Sequence, residues 1–174
     1  MTNKIAVISA GHDSVKDCGA VAKDGTTEAE MVTQFRNAVA YYVQQDKDIH
    51  VKVDGYGKTN LPLSEAVKLI AGSTLAVEFH MNAAASKQAN GIETIALPRD
   101  KKLAQDLSAA VASALGSRLR GDNGWIDQSK SARGSLAYIN AGGLIVELGF
   151  ISNEAELAAF QARYWIAAKA VAKF

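Results

Sequence analysis

The sequence predicts one α/β domain spanning residues 1–174, with a mostly parallel, mixed sheet and helices on both faces. Three observations carry that prediction. Short β-favouring runs recur at residues 5–10, 49–54, 75–81 and 144–148, and stretches with helical spacing lie among them. The first run is continuously apolar rather than alternating, which suits a strand covered on both sides. The order of elements, β-α-β-α-β-β-α-β-β-α, fits a sheet sandwiched between helices.

Taken in order, residues 4–10 form a first buried strand that runs into Gly11-His12 and a loop through Gly25. Thr27 with Glu30 three residues later is a capping-box pattern that opens a helix. Glu30 therefore has a local role there, whereas Glu28 has none. Met31, Val32, Phe35, Val39, Tyr42 and Val43 keep helical spacing to about Gln45. Residues 49–54 alternate and read as a strand with one exposed face, on which His50 lies. After a Gly55-Tyr56-Gly57-Lys58 loop, Pro62 and Leu63 start a helix that reaches about Ala71.

The run Leu75-Ala76-Val77-Glu78-Phe79-His80-Met81 reads as a central strand ending on a histidine. An alternating strand is expected over residues 91–97, and a helix over residues 101–115, where Leu103, Leu107, Val111 and Leu115 share a face. Residues 116–134 read as a long glycine-rich loop with Arg120, Trp125 and Arg133, and loops of that length are usually functional. Residues 136–139 are expected as a short strand, residues 144–148 as the last core strand, and Asn153 with Glu156 as the cap of a final helix.

Composition narrows the class of function. The 174 residues are 48% apolar and 21% charged, as in a globular domain with a substantial core. A net charge of +1 with scattered basic residues argues against nucleic acid as a partner. A single cysteine, Cys18, excludes an internal disulfide framework, and it reads as a small apolar residue rather than a ligand. No run approaches the ~20 apolar residues of a membrane span, and the apolar run at the N-terminus is too short for a signal peptide. The expectation is a monomer made in the cytoplasm without membrane association.

Chemistry enters at the ends of the strands, where open α/β sheets gather their ligands. His12 follows the first strand, His80 closes the central one, and Glu147 interrupts the last. Zinc in hydrolytic sites takes three protein ligands, His₂Glu being one common set. His12, Glu28 and His80 offer that set, although they are far apart in sequence. Taken singly, each has an ordinary alternative: a loop histidine, a satisfied core histidine, and a carboxylate at a helix N-terminus. Glu147 is harder to dismiss, because an ionised carboxylate in an apolar strand costs several kcal/mol unless paired or bound. Beside a metal it is suited to take a proton from water and pass it to a leaving amine.

Short pieces along nearly the whole chain resemble the zinc-dependent N-acetylmuramoyl-L-alanine amidases of the amidase 3 type. They are Gly11-His12, Gly19-Ala20, Gly25-Thr26-Thr27-Glu28, Phe79-His80-Met81-Asn82-Ala83, Gly91-Ile92-Glu93 and Val146-Glu147-Leu148-Gly149-Phe150-Ile151-Ser152-Asn153. The resemblance implies that His12, Glu28 and His80 bind Zn²⁺ and that Glu147 is the catalytic acid/base. It implies peptidoglycan as substrate, cut between the lactyl group of N-acetylmuramic acid and L-alanine of the stem peptide.

The chain departs from the family in places. Glu78-Phe79 stands where Ser-Ile is frequent, Glu65-Ala66 and Ile70-Ala71 replace an arginine and an Ala-Asn pair, and Gly142-Gly143 replaces a proline-containing turn. Small size and the lack of an export signal look like a phage endolysin, which reaches the wall after the membrane is breached and lyses the host. Two other readings remain open, a non-catalytic wall-binding module of the same fold and a zinc hydrolase of another wall amide. Asn82 is a candidate to hydrogen-bond substrate or to satisfy backbone. Arg133 or Arg120 could pair with a stem-peptide carboxylate, and Trp125 could pack on sugar or anchor its loop.

Overall fold

The computed structural model describes residues 4–174; residues 1–3, which lead into the first predicted strand, lie outside the described residues. Six strands form one sheet: β1 (Lys4–Ala10), β2 (Ile49–Val53), β3 (Leu75–Asn82), β4 (Glu93–Ala96), β5 (Trp125–Asp127) and β6 (Leu144–Phe150). Their spatial order is β2-β1-β3-β6-β4-β5. Neighbours from β2 to β6 are parallel, β4 runs antiparallel to β6, and β5 is parallel to β4. The expected mostly parallel, mixed sheet is the one observed.

Helices α1 (Glu28–Val43), α3 (Lys101–Leu115) and α5 (Glu154–Val171) cover one face. Their apolar residues meet Ile8, Val77, Phe79, Val146 and Leu148 of the strands in the larger core. The other face carries α2 (Leu63–Leu69) and α4 (Ala137–Asn140). There Ile70, Tyr138 and Ile139 pack on Val7, Ala76 and Ile145. Adjacent strand residues divide between the two cores, as the twofold alternation of a strand requires.

Two elements of this framework set the position of the site. The α1 N-terminus is capped as expected: the Thr27 side chain accepts from the Glu30 N–H, and the Glu30 carboxylate accepts from the Thr27 N–H. Such a cap stabilises a helix by about 1 kcal/mol. Two turns further in, Phe35 meets Phe79 of β3 edge-to-face, with ring centroids 4.7 Å apart. A pair of this kind adds about 1 kcal/mol beyond its area, and it holds α1 against the strand that bears His80.

Residues 136–139 do not form the expected strand. Tyr138 and Ile139 are adjacent, yet both are buried in the same core, which a helix permits and a strand does not. The fifth strand lies instead inside the expected glycine-rich loop, where Thr94, Ile95 and Ala96 pair with Trp125, Ile126 and Asp127. Three residues are too few for a periodicity to show. The predicted strand over residues 91–97 is shorter than expected, beginning at Glu93 and ending at Ala96.

Candidate metal centre

The carboxyl ends of β1 and β3 converge on the first turn of α1. Gly11 follows β1, its N–H bonded to the Phe79 carbonyl of β3 (2.9 Å), and His12 comes next. His80 lies near the end of β3, and Glu28 is the first residue of α1. These three residues each bring one ligand atom to a common point, all within 4.8 Å of one another. The structure thus joins three residues that are separated by up to 68 positions along the chain (80 minus 12).

Glu28 is the hub. Its Oε1 lies 3.1 Å from His12 Nε2 and 3.2 Å from His80 Nδ1. It also accepts from the Met81 N–H (2.9 Å), while Oε2 accepts from the Ala20 N–H (3.0 Å). Zinc ligands at ~2.1 Å in a tetrahedron are about 3.4 Å apart, close to the two carboxylate–imidazole spacings here, and a His₂Glu donor set is one that zinc takes.

The electrostatics agree with a site built for a cation. Burial opposes ionisation of Glu28, but hydrogen bonds to both imidazoles hold its carboxyl well below the usual range. Burial likewise opposes the charge on His80 and on His12, and the surrounding carboxylates together outweigh it, Glu28, Glu78 and Glu147 at His80 and Glu28 with Asp17 at His12, so both imidazoles are raised above their ordinary value. Both rings are also held from behind. His12 Nδ1 lies 2.8 Å from Asp17 Oδ2, and His80 Nε2 lies 3.0 Å from Glu78 Oε1.

Glu147 stands directly beside His80 in the register of β3 and β6, and opposite Glu93 of β4. Its Oε2 is sealed from solvent and has no hydrogen-bond partner among the described residues. Burial pushes its carboxyl up to about 7, with His80 opposing the rise and Glu28 and Glu93 adding to it. Just past Glu147 the register shifts: His80 pairs with Glu147, but Asn82 pairs with Phe150. The extra residue forms a bulge at Gly149, whose φ of 117° favours glycine. Bulges beside sites re-aim side chains, and this one lies next to the carboxylate in question.

A second layer secures the β1 exit. The wholly buried Arg36 of α1 pairs with Asp54 (3.0 Å), which also accepts from the Ala10 N–H (3.0 Å). Arg36 donates to Asn60 Oδ1 (2.8 Å), and Asn60 Nδ2 donates to the carbonyls of Ala10 and His12. Burial pushes Asp54 up to about 6, against the pull of Arg36.

The other sequence candidates fall outside this cluster. Asn82 Nδ2 donates to Glu93 Oε1 (3.0 Å), and Glu93 Oε2 accepts from Arg120 Nε (2.7 Å). Trp125 anchors β5, its Nε1–H donating to the Ala96 carbonyl (3.2 Å). Arg133 is exposed in the segment before α4 and is not one of the residues that meet around Glu28. Cys18 is exposed and outside the ligand set, rather than a packed apolar residue. His50 lies exposed on β2 as expected. Glu78 and Asp17 were not singled out as site residues by the sequence. For Glu78 the signal was present, since it interrupts an apolar strand as Glu147 does.

Comparison with known proteins agrees with the geometry. Residues 6–174 match the family model for N-acetylmuramoyl-L-alanine amidase. A Neisseria meningitidis protein assigned provisionally to that activity is 44% identical, with a TM-score of 0.89, 98% of this chain and 92% of that one being covered. The catalytic domain of CwlV, an N-acetylmuramoyl-L-alanine amidase from Bacillus (Paenibacillus) polymyxa, is 27% identical with a TM-score of 0.77, covering 97% and 94% of the two chains. An N-acetylmuramoyl-L-alanine amidase from Clostridium difficile 630 has the same fold at 22% identity, with a TM-score of 0.83 and coverage of 99% and 95%. No curated protein sequence matches.

Proposed function

Because the chain belongs to the N-acetylmuramoyl-L-alanine amidase family, a class of enzymes that hydrolyse a peptidoglycan amide, we propose that it does so with zinc held by His12, Glu28 and His80 and with Glu147 as acid and base. The bond is the amide between the lactyl group of N-acetylmuramic acid and L-alanine. The observation that carries this reading is Glu147 Oε2, buried and without a partner among the described residues, beside the three converging side chains. A polar atom in that condition costs free energy unless it has work to do with a ligand or solvent.

Zinc in such a site supplies Lewis acidity, towards water and towards a carbonyl oxygen. The protein's own groups do the rest. His12 Nε2 and His80 Nδ1 face the common point with Glu28 Oε1, each ring backed by a carboxylate. Glu147 takes a proton from the attacking water as the new C–O bond forms. It then delivers that proton to the alanine nitrogen as the C–N bond breaks, leaving the lactyl carboxylic acid and a free amine, which end as carboxylate and ammonium when the water's second proton passes to the amine. A carboxyl pushed up to about 7 is suited to both halves, since near neutral pH it can accept the proton and give it back.

Arg133 is exposed and without an ion pair among the described residues, which leaves its guanidinium available for a stem-peptide carboxylate. Asn82 already donates its amide to Glu93, so its contact would run through the carbonyl side. A role as a phage endolysin belongs to this reading as a proposal, tested by whether expression together with membrane permeabilisation lyses the host cell.

The test is metal removal. Purified protein stripped with a chelator should free no L-alanine amino termini from peptidoglycan, and one equivalent of zinc should restore release. Full activity in protein verified to be metal-free would overturn the zinc reading while leaving the family intact.

A further inference from the structure

We infer that Glu78 is a positioning residue that sets the tautomer of His80 and thereby turns its Nδ1 towards the metal; the inference rests on the zinc reading above. Glu78 precedes His80 by two positions on β3, so both side chains leave the same face of the sheet. The Glu78 Oε1 lies 3.0 Å from His80 Nε2, and the other ring nitrogen, Nδ1, is the one that faces Glu28.

The argument is one of donor and acceptor counting. An ionised carboxylate only accepts, so the nitrogen facing Glu78 must carry the proton. Nδ1 faces a carboxylate as well, that of Glu28, so the metal-free ring can hold a proton on each nitrogen; a metal would displace the one on Nδ1, and the Glu78 carboxylate keeps the other on Nε2. Carboxylates that orient metal-bound histidines in this way are worth about 10–100-fold in metal affinity.

His12 is arranged in the opposite sense. Its Nδ1 is held by Asp17 and its Nε2 faces the site. The two backing carboxylates differ in environment: the Asp17 side chain is 63% exposed, whereas that of Glu78 is 5% exposed. Water competes for the first and scarcely for the second, so Glu78 has the firmer hold on its histidine. Among the described residues the Glu78 carboxylate makes its one hydrogen bond to His80, so a purely structural anchoring elsewhere does not account for its burial.

The test combines affinity with a tautomer readout. Zinc affinity by chelator competition should fall about 10–100-fold in Glu78→Ala. It should fall less in Glu78→Gln, which keeps the shape and the accepting oxygen. Unfolding temperatures of the metal-free variants check that the fold survives. In parallel, nitrogen-15 NMR of the zinc-loaded parent should find the proton of His80 on Nε2 and that of His12 on Nδ1. Equal zinc affinity in parent and Glu78→Ala, or a His80 proton on Nδ1 in the loaded parent, overturns the inference. The NMR arm stands even if a variant does not fold. A parent that binds no zinc at all instead overturns the reading beneath it.

Discussion

Gly11 lies against the imidazole of His80, so close that any β-carbon at position 11 would overlap the ring atoms Cε1, Nε2 and Nδ1. The constraint is one of space alone, because Gly11 is not among the glycines with positive φ. The glycine of Gly11-His12 thus leaves the room that the imidazole of the neighbouring strand occupies.

Gly11→Ala should therefore displace the His80 ring and leave most of the fold alone. Misplacing a reacting or coordinating group by about 1 Å can cost ~100-fold, and a loss of that order in zinc affinity or turnover is expected. Zinc titration of the folded variant checks it. Parent-like affinity would mean that the ring has another place to stand.

Glu147→Gln has a consequence for stability as well as for turnover. In the metal-free parent burial raises the Glu147 carboxyl to about 7, above its ordinary 4.5. Between those values the folded state binds more protons than the unfolded one, so this group's contribution to stability falls as pH rises from about 4.5 to 7. At roughly 1.4 kcal/mol per pKa unit the fall is about 3 kcal/mol. The amide variant lacks this titration. Denaturant unfolding at several pH values should show Glu147→Gln gaining stability relative to the metal-free parent as pH rises through that window, and a flat difference would contradict it.

Arg36 and Asp54 form a buried ion pair whose partners reach the backbone at Ala10 and His12. Asp54→Ala leaves a buried guanidinium without its counter-charge and should cost about 3–5 kcal/mol. Arg36→Met/Asp54→Ala together should cost less than the sum of the two single changes, since the double variant leaves no uncompensated charge whereas each single change does. Chemical denaturation of the double-mutant cycle measures this, and additive losses would show that the pair does not act as a unit.

The strands that carry the site were legible because their apolar runs stop at residues with a different chemistry: His12 after β1, His80 in β3, Glu147 in β6. Glu28 was separable from Glu30 because the capping box accounts for only one of them, and the structure shows that cap closed. The sheet's outer part was less legible. A three-residue strand has no period, so β5 was hidden in a loop, and two consecutive buried residues, Tyr138 and Ile139, looked like strand material although they pack as one helical turn.

What the sequence could not show was how the site residues hold one another. Asn82, Glu93 and Arg120 form a chain of contacts over 38 positions (120 minus 82), and nothing in their spacing reveals it. Glu78 stands out in the sequence as a departure from the family pattern and not as a site residue. The reasoning that singled out Glu147, a carboxylate set in an apolar strand, applies to it equally well.

The most direct measurement compares the parent with Glu147→Gln on purified peptidoglycan, reading new L-alanine amino termini by mass spectrometry and zinc content on the same samples. The account predicts that both proteins hold about one zinc per chain, that the parent frees L-alanine from muramic acid, and that the variant does not. A zinc-loaded variant that cleaves at the parent's rate would contradict the role given to Glu147.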